Sequence, residues 1–192
     1  KRAAAESAVL LKNTDHILPL PVKTRVALIG DFARDARYQG AGSSMVNPTI
    51  LETMEKEIEH CSLQVVGISS GYRRNGEEDA ALKKEALDMA RMADAVLYCF
   101  GLDELSESKG LDRTHMRIPQ NQIELLEALA QVNKNVVGIL SAGAAVEMPW
   151  HNCCKAILHG YLSGQAGASA MLDIVTGKVN PSGRLSESYP LR

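Results

Sequence analysis

A run of carboxylates is the feature of this sequence that most directly suggests chemistry. Residues 101–113 form a polar stretch that carries Asp103, Glu104, Glu107 and Asp112. Cleavage of a glycosidic bond uses one carboxylic acid to protonate the leaving oxygen and a second carboxylate to attack the sugar or activate water. The alternative is a solvated acidic loop, because Asp and Glu are mostly exposed in proteins.

A glycine-rich stretch is the second candidate. Residues 40–44 read Gly-Ala-Gly-Ser-Ser, and backbone N–H groups in such a stretch can bind phosphate. The stretch lacks the Lys-Ser/Thr ending of a P-loop and the full glycine spacing of a dinucleotide fingerprint. We therefore predict a sharp turn whose serines line a site, with a nucleotide-binding loop as the alternative.

Residues 67–71 read Gly-Ile-Ser-Ser-Gly and formally fit the G-x-S-x-G pattern of a nucleophile elbow. An elbow must pass directly from a strand into a helix, but residues 72–77 have the composition of a loop. A serine hydrolase that uses Ser69 is therefore a minor alternative.

No metal site and no cofactor are predicted, because the histidines show neither i, i+4 pairing nor a cysteine partner. The five histidines are His16, His60, His115, His151 and His159.

Trp150 follows Met148 and Pro149. It could stack on a sugar, but a single tryptophan beside an apolar strand is more often part of the core.

Short β-branched runs alternate with longer amphipathic runs, a pattern typical of βαβ units. We predict an α/β fold, a doubly wound three-layer sandwich with a mostly parallel sheet of about five to six strands. The predicted strands are 25–30, 63–69, 95–101, 135–141 and 156–160. The predicted helices are 2–13, 50–59, 78–92, 119–132 and 165–175. Residues 180–190 are rich in turn formers and are predicted to lie over the surface or lead into another domain.

In open α/β sheets the functional loops leave the carboxyl ends of the strands. This rule selects residues 31–44, 70–79 and 102–118 as the candidate loops. Both the glycine-rich stretch and the acidic stretch lie within them.

The composition of the 192 residues, 45% hydrophobic and 23% charged, is that of one globular domain. A net charge of -2 and the absence of a basic stripe argue against nucleic acid as a partner. No run approaches the roughly 20 apolar residues that span a membrane. The four cysteines form no CxxC pair, which mildly favours a reducing, cytoplasmic compartment, although a periplasmic or secreted location stays open.

Several segments together resemble the second domain of family 3 glycoside hydrolases of the β-glucosidase type. Their order and spacing cover almost the whole chain. The matching segments are 4–13, 18–20, 26–30, 40–44, 110–113, 118–122, 134–137, 148–150, 164–167 and 177–185.

This resemblance implies a retaining, exo-acting β-glycosidase. In this family an N-terminal (β/α)8 barrel of the same polypeptide holds the aspartate nucleophile, and the second domain covers the pocket. The loop after the third predicted strand supplies the general acid/base glutamate, either just before the glycine of a Gly-x-Asp-Arg segment or two places earlier. Because Lys109 occupies the nearer position, Glu107 is the leading candidate and Glu104 the second.

Weaker expectations concern the neighbouring residues. Ser43 and Ser44 are expected to face an outer sugar subsite, and Asp112 and Arg113 to shape the loop by pairing with each other or with the barrel. The barrel's nucleophile motif is not found in this chain, so the chain alone is expected to be inactive. A β-glycoside or oligosaccharide is the implied substrate, and the competing interpretation is a flavodoxin-like binding module without hydrolytic activity.

Overall fold

A six-stranded sheet forms the centre of the computed structural model, which describes residues 1–191. The strands are β1 Val9–Asn13, β2 Arg25–Ile29, β3 Gln64–Ser69, β4 Ala95–Gly101, β5 Val136–Ser141 and β6 Ala156–His159. Their spatial order is β1-β6-β5-β4-β2-β3, and every neighbouring pair is parallel except β1 and β6. This confirms the predicted α/β fold with a mostly parallel sheet.

Helices cover both faces of the sheet, because the side chains of each buried strand alternate between the two faces. The helices are α1 Arg2–Ser7, α2 Met54–Glu57, α3 Ala80–Met92, α4 Gln120–Val132 and α5 Gly167–Val175. In β4, Leu97 and Cys99 pack in the cluster that contains α1, α2 and α5, whereas Tyr98 and Phe100 pack in the cluster that contains α3 and α4. None of the helices within residues 1–191 is long and apolar enough to cross a membrane.

The prediction of one helix over residues 2–13 is wrong. Helix α1 ends at Ser7, Ala8 is extended, and β1 then pairs antiparallel with β6, with Val9 opposite His159. The alanine-rich first half has helical propensity, but the apolar segment that follows occupies the open edge of β6. Pairing with a distant strand therefore overrides the local pattern.

The helix predicted over residues 50–59 is shorter than expected. Thr53 caps α2, and its side-chain oxygen accepts a hydrogen bond from the backbone N–H of Lys56. After only four residues the helix tightens into a 3₁₀ turn, Ile58–His60. The N-cap thus sets the start of the helix, and residues 50–52 lie outside it.

The direction in which the sheet grows reverses between β2 and β4. Strand β3 lies on one side of β2, whereas β4 and then β5 lie on the other. At such a switch point the loops that leave the two central strands diverge and open a crevice. Here these are the loops after β2 and after β4, which contain the glycine-rich and the acidic stretches.

The C-terminal segment has no regular structure, as predicted, but it packs on the domain. The N–H of Gly183 donates to the carbonyl of Ala8, and the N–H of Met148 donates to the carbonyl of Pro190. Tyr189 packs against His159. The tail therefore returns to the carboxyl edge of the sheet.

Candidate functional site

The glycine-rich loop and the acidic loop meet at the switch point and line one surface depression. Ala41 and Ser108 form an isolated parallel bridge, and the N–H of Lys109 donates to the carbonyl of Ala41 at 3.3 Å. Residues 143–144, after β5, and Leu162, after β6, close the opposite side. The depression is thus built from four loops that leave the carboxyl edge.

Glu107 lies in this depression with its carboxylate fixed. Oε2 accepts a hydrogen bond from the N–H of Gly143 at 2.8 Å and lies 3.7 Å from Nη2 of Arg37. The N–H of Glu107 donates to the carbonyl of Asp103. Because 18% of the side chain is exposed, the carboxyl group is restrained and still reachable from solvent.

Glu104 has a different environment. Its Oε2 lies 3.4 Å from Nη1 of Arg74, a residue that also pairs with Asp31 at 2.7 Å and Asp35 at 3.1 Å. Its Oε1 lies 3.9 Å from Nε of Arg37, and 40% of its side chain is exposed. Glu104 is not among the residues that line the depression.

The other two carboxylates of the loop have distinct positions. Asp103 is buried, and its Oδ1 accepts hydrogen bonds from the N–H groups of Leu105 and Ser106, which closes a tight turn. Asp112 lines the depression. Within residues 1–191 it forms no ion pair with Arg113, whose Nη2 instead donates to the carbonyl of Ala145. Of the two expected pairings, with each other or with the barrel, the first is therefore not formed.

The two serines of the glycine-rich loop are both exposed, but only Ser44 lines the depression. The hydroxyl of Ser44 donates to the carbonyl of Ala41 at 3.3 Å. The loop does not lead into the first turn of a helix, because α2 starts at Met54 and spans four residues. The geometry that a phosphate-binding loop requires is thus missing.

Ser69 does not have the geometry of a nucleophile. It is buried at the end of β3, and its hydroxyl donates to Glu85 at 2.7 Å. Helix α3 starts only at Ala80. The sharp strand-to-helix turn of a serine hydrolase is therefore missing at this position.

Trp150 is buried and packs edge-on against Phe100, with ring centroids 4.9 Å apart, which confirms the prediction that it belongs to the core. Residues 1–191 contain no group of three or more His, Cys, Asp or Glu side chains arranged to hold a metal.

A buried polar cluster lies at the end of β6. Nδ1 of His159 lies 3.3 Å from the carbonyl of Leu140, and Nε2 lies 2.7 Å from the hydroxyl of Tyr189. Burial lowers the pKa of His159 to about 4. Burial also raises the pKa of Tyr189, and Tyr161 and Glu187 contribute to this shift. The cluster therefore joins the C-terminal segment to the end of β6.

Sequence reasoning missed two groups that hold Glu107, namely the guanidinium of Arg37 and the N–H of Gly143. Arg37 is 1% exposed. The sequence of a polar loop does not show that an arginine in it is buried. It also does not show the direction in which a backbone N–H points. The only available signal was that both residues follow predicted strands.

Comparisons with known proteins agree with this architecture. The model of the glycosyl hydrolase family 3 C-terminal domain matches residues 8–192. The chain is 46% identical over 195 residues to thermostable β-glucosidase B of Acetivibrio thermocellus, covering 100% of this chain and 26% of that protein. It is 42% identical to an exo-α-(1→6)-L-arabinopyranosidase of Bifidobacterium breve, covering 99% of this chain and 26% of that protein.

Solved structures give the same result. The crystal structure of a family GH3 β-glucosidase from Bifidobacterium adolescentis superposes with a TM-score of 0.94 at 43% identity, covering 99% of this chain and 28% of that one. The chain thus spans about a quarter of the length of the curated relatives it matches. By sequence and by fold, this chain belongs to glycoside hydrolase family 3 and corresponds to the C-terminal domain of that family.

Proposed function

We propose that this chain is the acid/base half of a retaining, exo-acting β-glycosidase of the β-glucosidase type, with Glu107 as the general acid/base. The observation that carries the proposal is the position of the Glu107 carboxyl group. It is held by the N–H of Gly143 in a depression at the switch point of the sheet, and it remains partly exposed. Glu104 is tied to Arg74 and does not line the depression.

The proposed reaction has two steps, in which Glu107 exchanges one proton. Glu107 first protonates the glycosidic oxygen while a carboxylate attacks the anomeric carbon, and it then removes a proton from the water that hydrolyses the glycosyl-enzyme. The two carboxyl groups of a retaining enzyme lie about 5 to 5.5 Å apart. We assign the nucleophile to a barrel domain of the same polypeptide, which would close over the depression.

The substrate class is a terminal, non-reducing β-linked sugar. Relatives named β-glucosidase and exo-1,4-β-xylosidase support this class. A further relative is named exo-α-(1→6)-L-arabinopyranosidase, so the named sugars and linkages differ among similar domains. Because similar C-terminal domains occur in proteins with different named sugars, we assign the choice of sugar to the barrel.

The test compares Glu107→Ala with the matched control Glu104→Ala in the full-length protein. The sugar is the one that the wild-type enzyme cleaves best in a panel of aryl glycosides. We expect Glu107→Ala to lower turnover of an unactivated alkyl glycoside by about 10²- to 10⁴-fold. The loss in kcat/KM should be far smaller for a dinitrophenyl glycoside, whose leaving group needs no proton. Added azide should restore turnover of that substrate.

Glu104→Ala should retain the leaving-group dependence of the wild-type enzyme. If Glu104→Ala shows the selective loss and the azide rescue instead, the acid/base role belongs to Glu104. If neither variant shows them, the proposed role of this loop is wrong. The chain expressed alone should show no more turnover than its own Glu107→Ala variant.

A further inference from the structure

Arg37 is a buried cation outside the carboxylate loop. Its side chain is 1% exposed, although it carries a full charge. A buried guanidinium is tolerated only where acceptors surround it. The acceptors around Arg37 are three backbone carbonyl oxygens. Nε donates to that of Leu102 at 3.2 Å, Nη2 donates to that of Glu107 at 3.0 Å, and Nη1 donates to that of Gln39.

These three carbonyls belong to two different loops. Gln39 precedes the glycine-rich stretch, whereas Leu102 begins the acidic loop and Glu107 is the candidate acid/base itself. The planar guanidinium presents its donors in a rigid fork, so one side chain can fix the two loops against each other. A lysine ammonium at the same place has no such fork.

The charge of Arg37 also acts on the Glu107 carboxyl group. Nη2 lies 3.7 Å from Oε2, and the N–H of Gly143 donates to the same oxygen, so groups from two different loops hold this oxygen. The other charged residues that line the depression with Glu107 are Lys109, Asp112 and Arg113, all in its own loop. Glu104 shares Arg37 with Glu107.

We propose that Arg37 is a positioning residue for the acid/base: it fixes the acidic loop against the glycine-rich loop and thereby orients the Glu107 carboxyl group in the depression. This inference rests on the proposed role of Glu107. It assigns two separate effects to Arg37, the fork that fixes the loops and the charge that faces the carboxylate. Two substitutions separate these effects.

The experiment uses the full-length protein with Arg37→Met, Arg37→Lys and the control Arg34→Met. Arg34 lies one turn earlier in the same loop and pairs with Glu55 at 3.0 Å. Arg37→Met removes fork and charge, so turnover of an unactivated glycoside should fall about 10- to 100-fold. The loss in kcat/KM for a dinitrophenyl glycoside should be far smaller, because that leaving group needs no proton from Glu107.

Arg37→Lys keeps the charge and loses the fork. Turnover of the unactivated glycoside should fall by about tenfold, again with a smaller loss for the dinitrophenyl glycoside. Arg34→Met should resemble the wild-type enzyme with both substrates. A purely structural role would lower the active fraction for all substrates alike and would show no dependence on the leaving group.

The proposal is overturned if folded Arg37→Met, as judged by circular dichroism, loses kcat/KM by the same factor for the alkyl and the dinitrophenyl glycoside. It is equally overturned if Arg37→Lys keeps wild-type turnover, and this result decides the matter where Arg37→Met does not fold. Glu107→Ala is measured in parallel. If that variant shows no leaving-group-dependent loss, the proposed function fails. If it does while the Arg37 variants behave as wild type, only this inference fails.

Discussion

Burial lowers the pKa of His159 to about 4, below the ordinary value of 6.5, so the ring is neutral at pH 7. The tautomer of the neutral ring then follows from its two hydrogen-bond partners. The carbonyl of Leu140 can only accept, so Nδ1 carries the hydrogen, and Nε2 accepts the hydroxyl hydrogen of Tyr189. The neutral ring therefore links the C-terminal segment to the sheet.

This depressed pKa predicts acid sensitivity in a defined window. Below about pH 6.5 the unfolded chain binds a proton at His159 that the folded chain does not bind until about pH 4, so folding stability falls as pH falls through this range. We expect the free energy of unfolding in urea to decrease by about 2 to 3 kcal/mol between pH 7 and pH 4.5.

A His159→Gln variant should show a smaller decrease over the same range, because glutamine does not titrate. The lower limit of pH 4.5 matters for this comparison. Hydrogen bonds and ion pairs lower the pKa of Asp79, Asp88 and Asp94, and the stability that these carboxylates contribute is lost mainly at more acidic pH. An equal decrease in the variant would show that other groups cause the effect.

At the same scale, the sequence predicted the carboxylates of the site but not their partners. Glu107 and Glu104 were found because acidic residues after a buried strand are visible in the sequence. Arg37 and Gly143 were not found, because a hydrogen bond between loops depends on how the strands are ordered in space. The strand order determines which loops meet, and the local pattern of residues does not contain it.

At the scale of elements, two glycines let neighbouring strands approach closely where they end at the carboxyl edge. Gly101 ends β4 with a φ of 150°, and a Cβ atom there would overlap the carbonyl oxygen of Ser141 in β5. Gly30 follows β2 with a φ of 123°, and a Cβ atom there would overlap the carbonyl oxygen of Cys99. Both glycines start loops that build the candidate site.

Gly101→Ala should therefore destabilise the domain strongly. We expect a loss on the order of 3 to 4 kcal/mol, because the methyl group meets backbone that cannot move without breaking the pairing of β4 with β5. The matched control is Gly76→Ala, which has a φ of 84° and no atom within 4 Å of the added carbon. That variant should lose only about 1 to 2 kcal/mol, from backbone strain. Urea denaturation measures both, and equal losses would contradict the steric explanation.

Most helices and strands were predictable because the pattern of apolar residues along each of them is clear. The fully buried β4 appears as a continuous apolar run, and α4 places Leu125 and Leu129 on one face. The error over residues 2–13 has a different origin. A short apolar run fits both a helix and a strand, and the open edge of β6 decided between them.

At the scale of the whole molecule, the carboxyl edge carries exposed apolar side chains beside the candidate site. Leu105 is 80% exposed and Leu111 is 62% exposed, both in the acidic loop. Met45, Val46 and Ile50 are also exposed, in the loop after β2. Exposed apolar residues grouped on loops of one edge are typical of a surface that contacts another domain. The proposed occupant is the barrel of the same polypeptide, since the chain covers about a quarter of its relatives' length.

Leu105→Glu tests this surface against Met92→Glu, a change at another exposed apolar residue, at the end of α3 before β4. In the isolated chain, neither variant should change the urea midpoint appreciably, because both side chains are exposed. In the full-length protein, Leu105→Glu should weaken domain closure by about 2 kcal/mol, the value of burying one leucine, and should lower turnover about tenfold or more. Met92→Glu should leave turnover unchanged. If the two full-length variants have equal turnover, the barrel does not contact this surface. The second carboxylate that Glu107 requires would then also lie elsewhere.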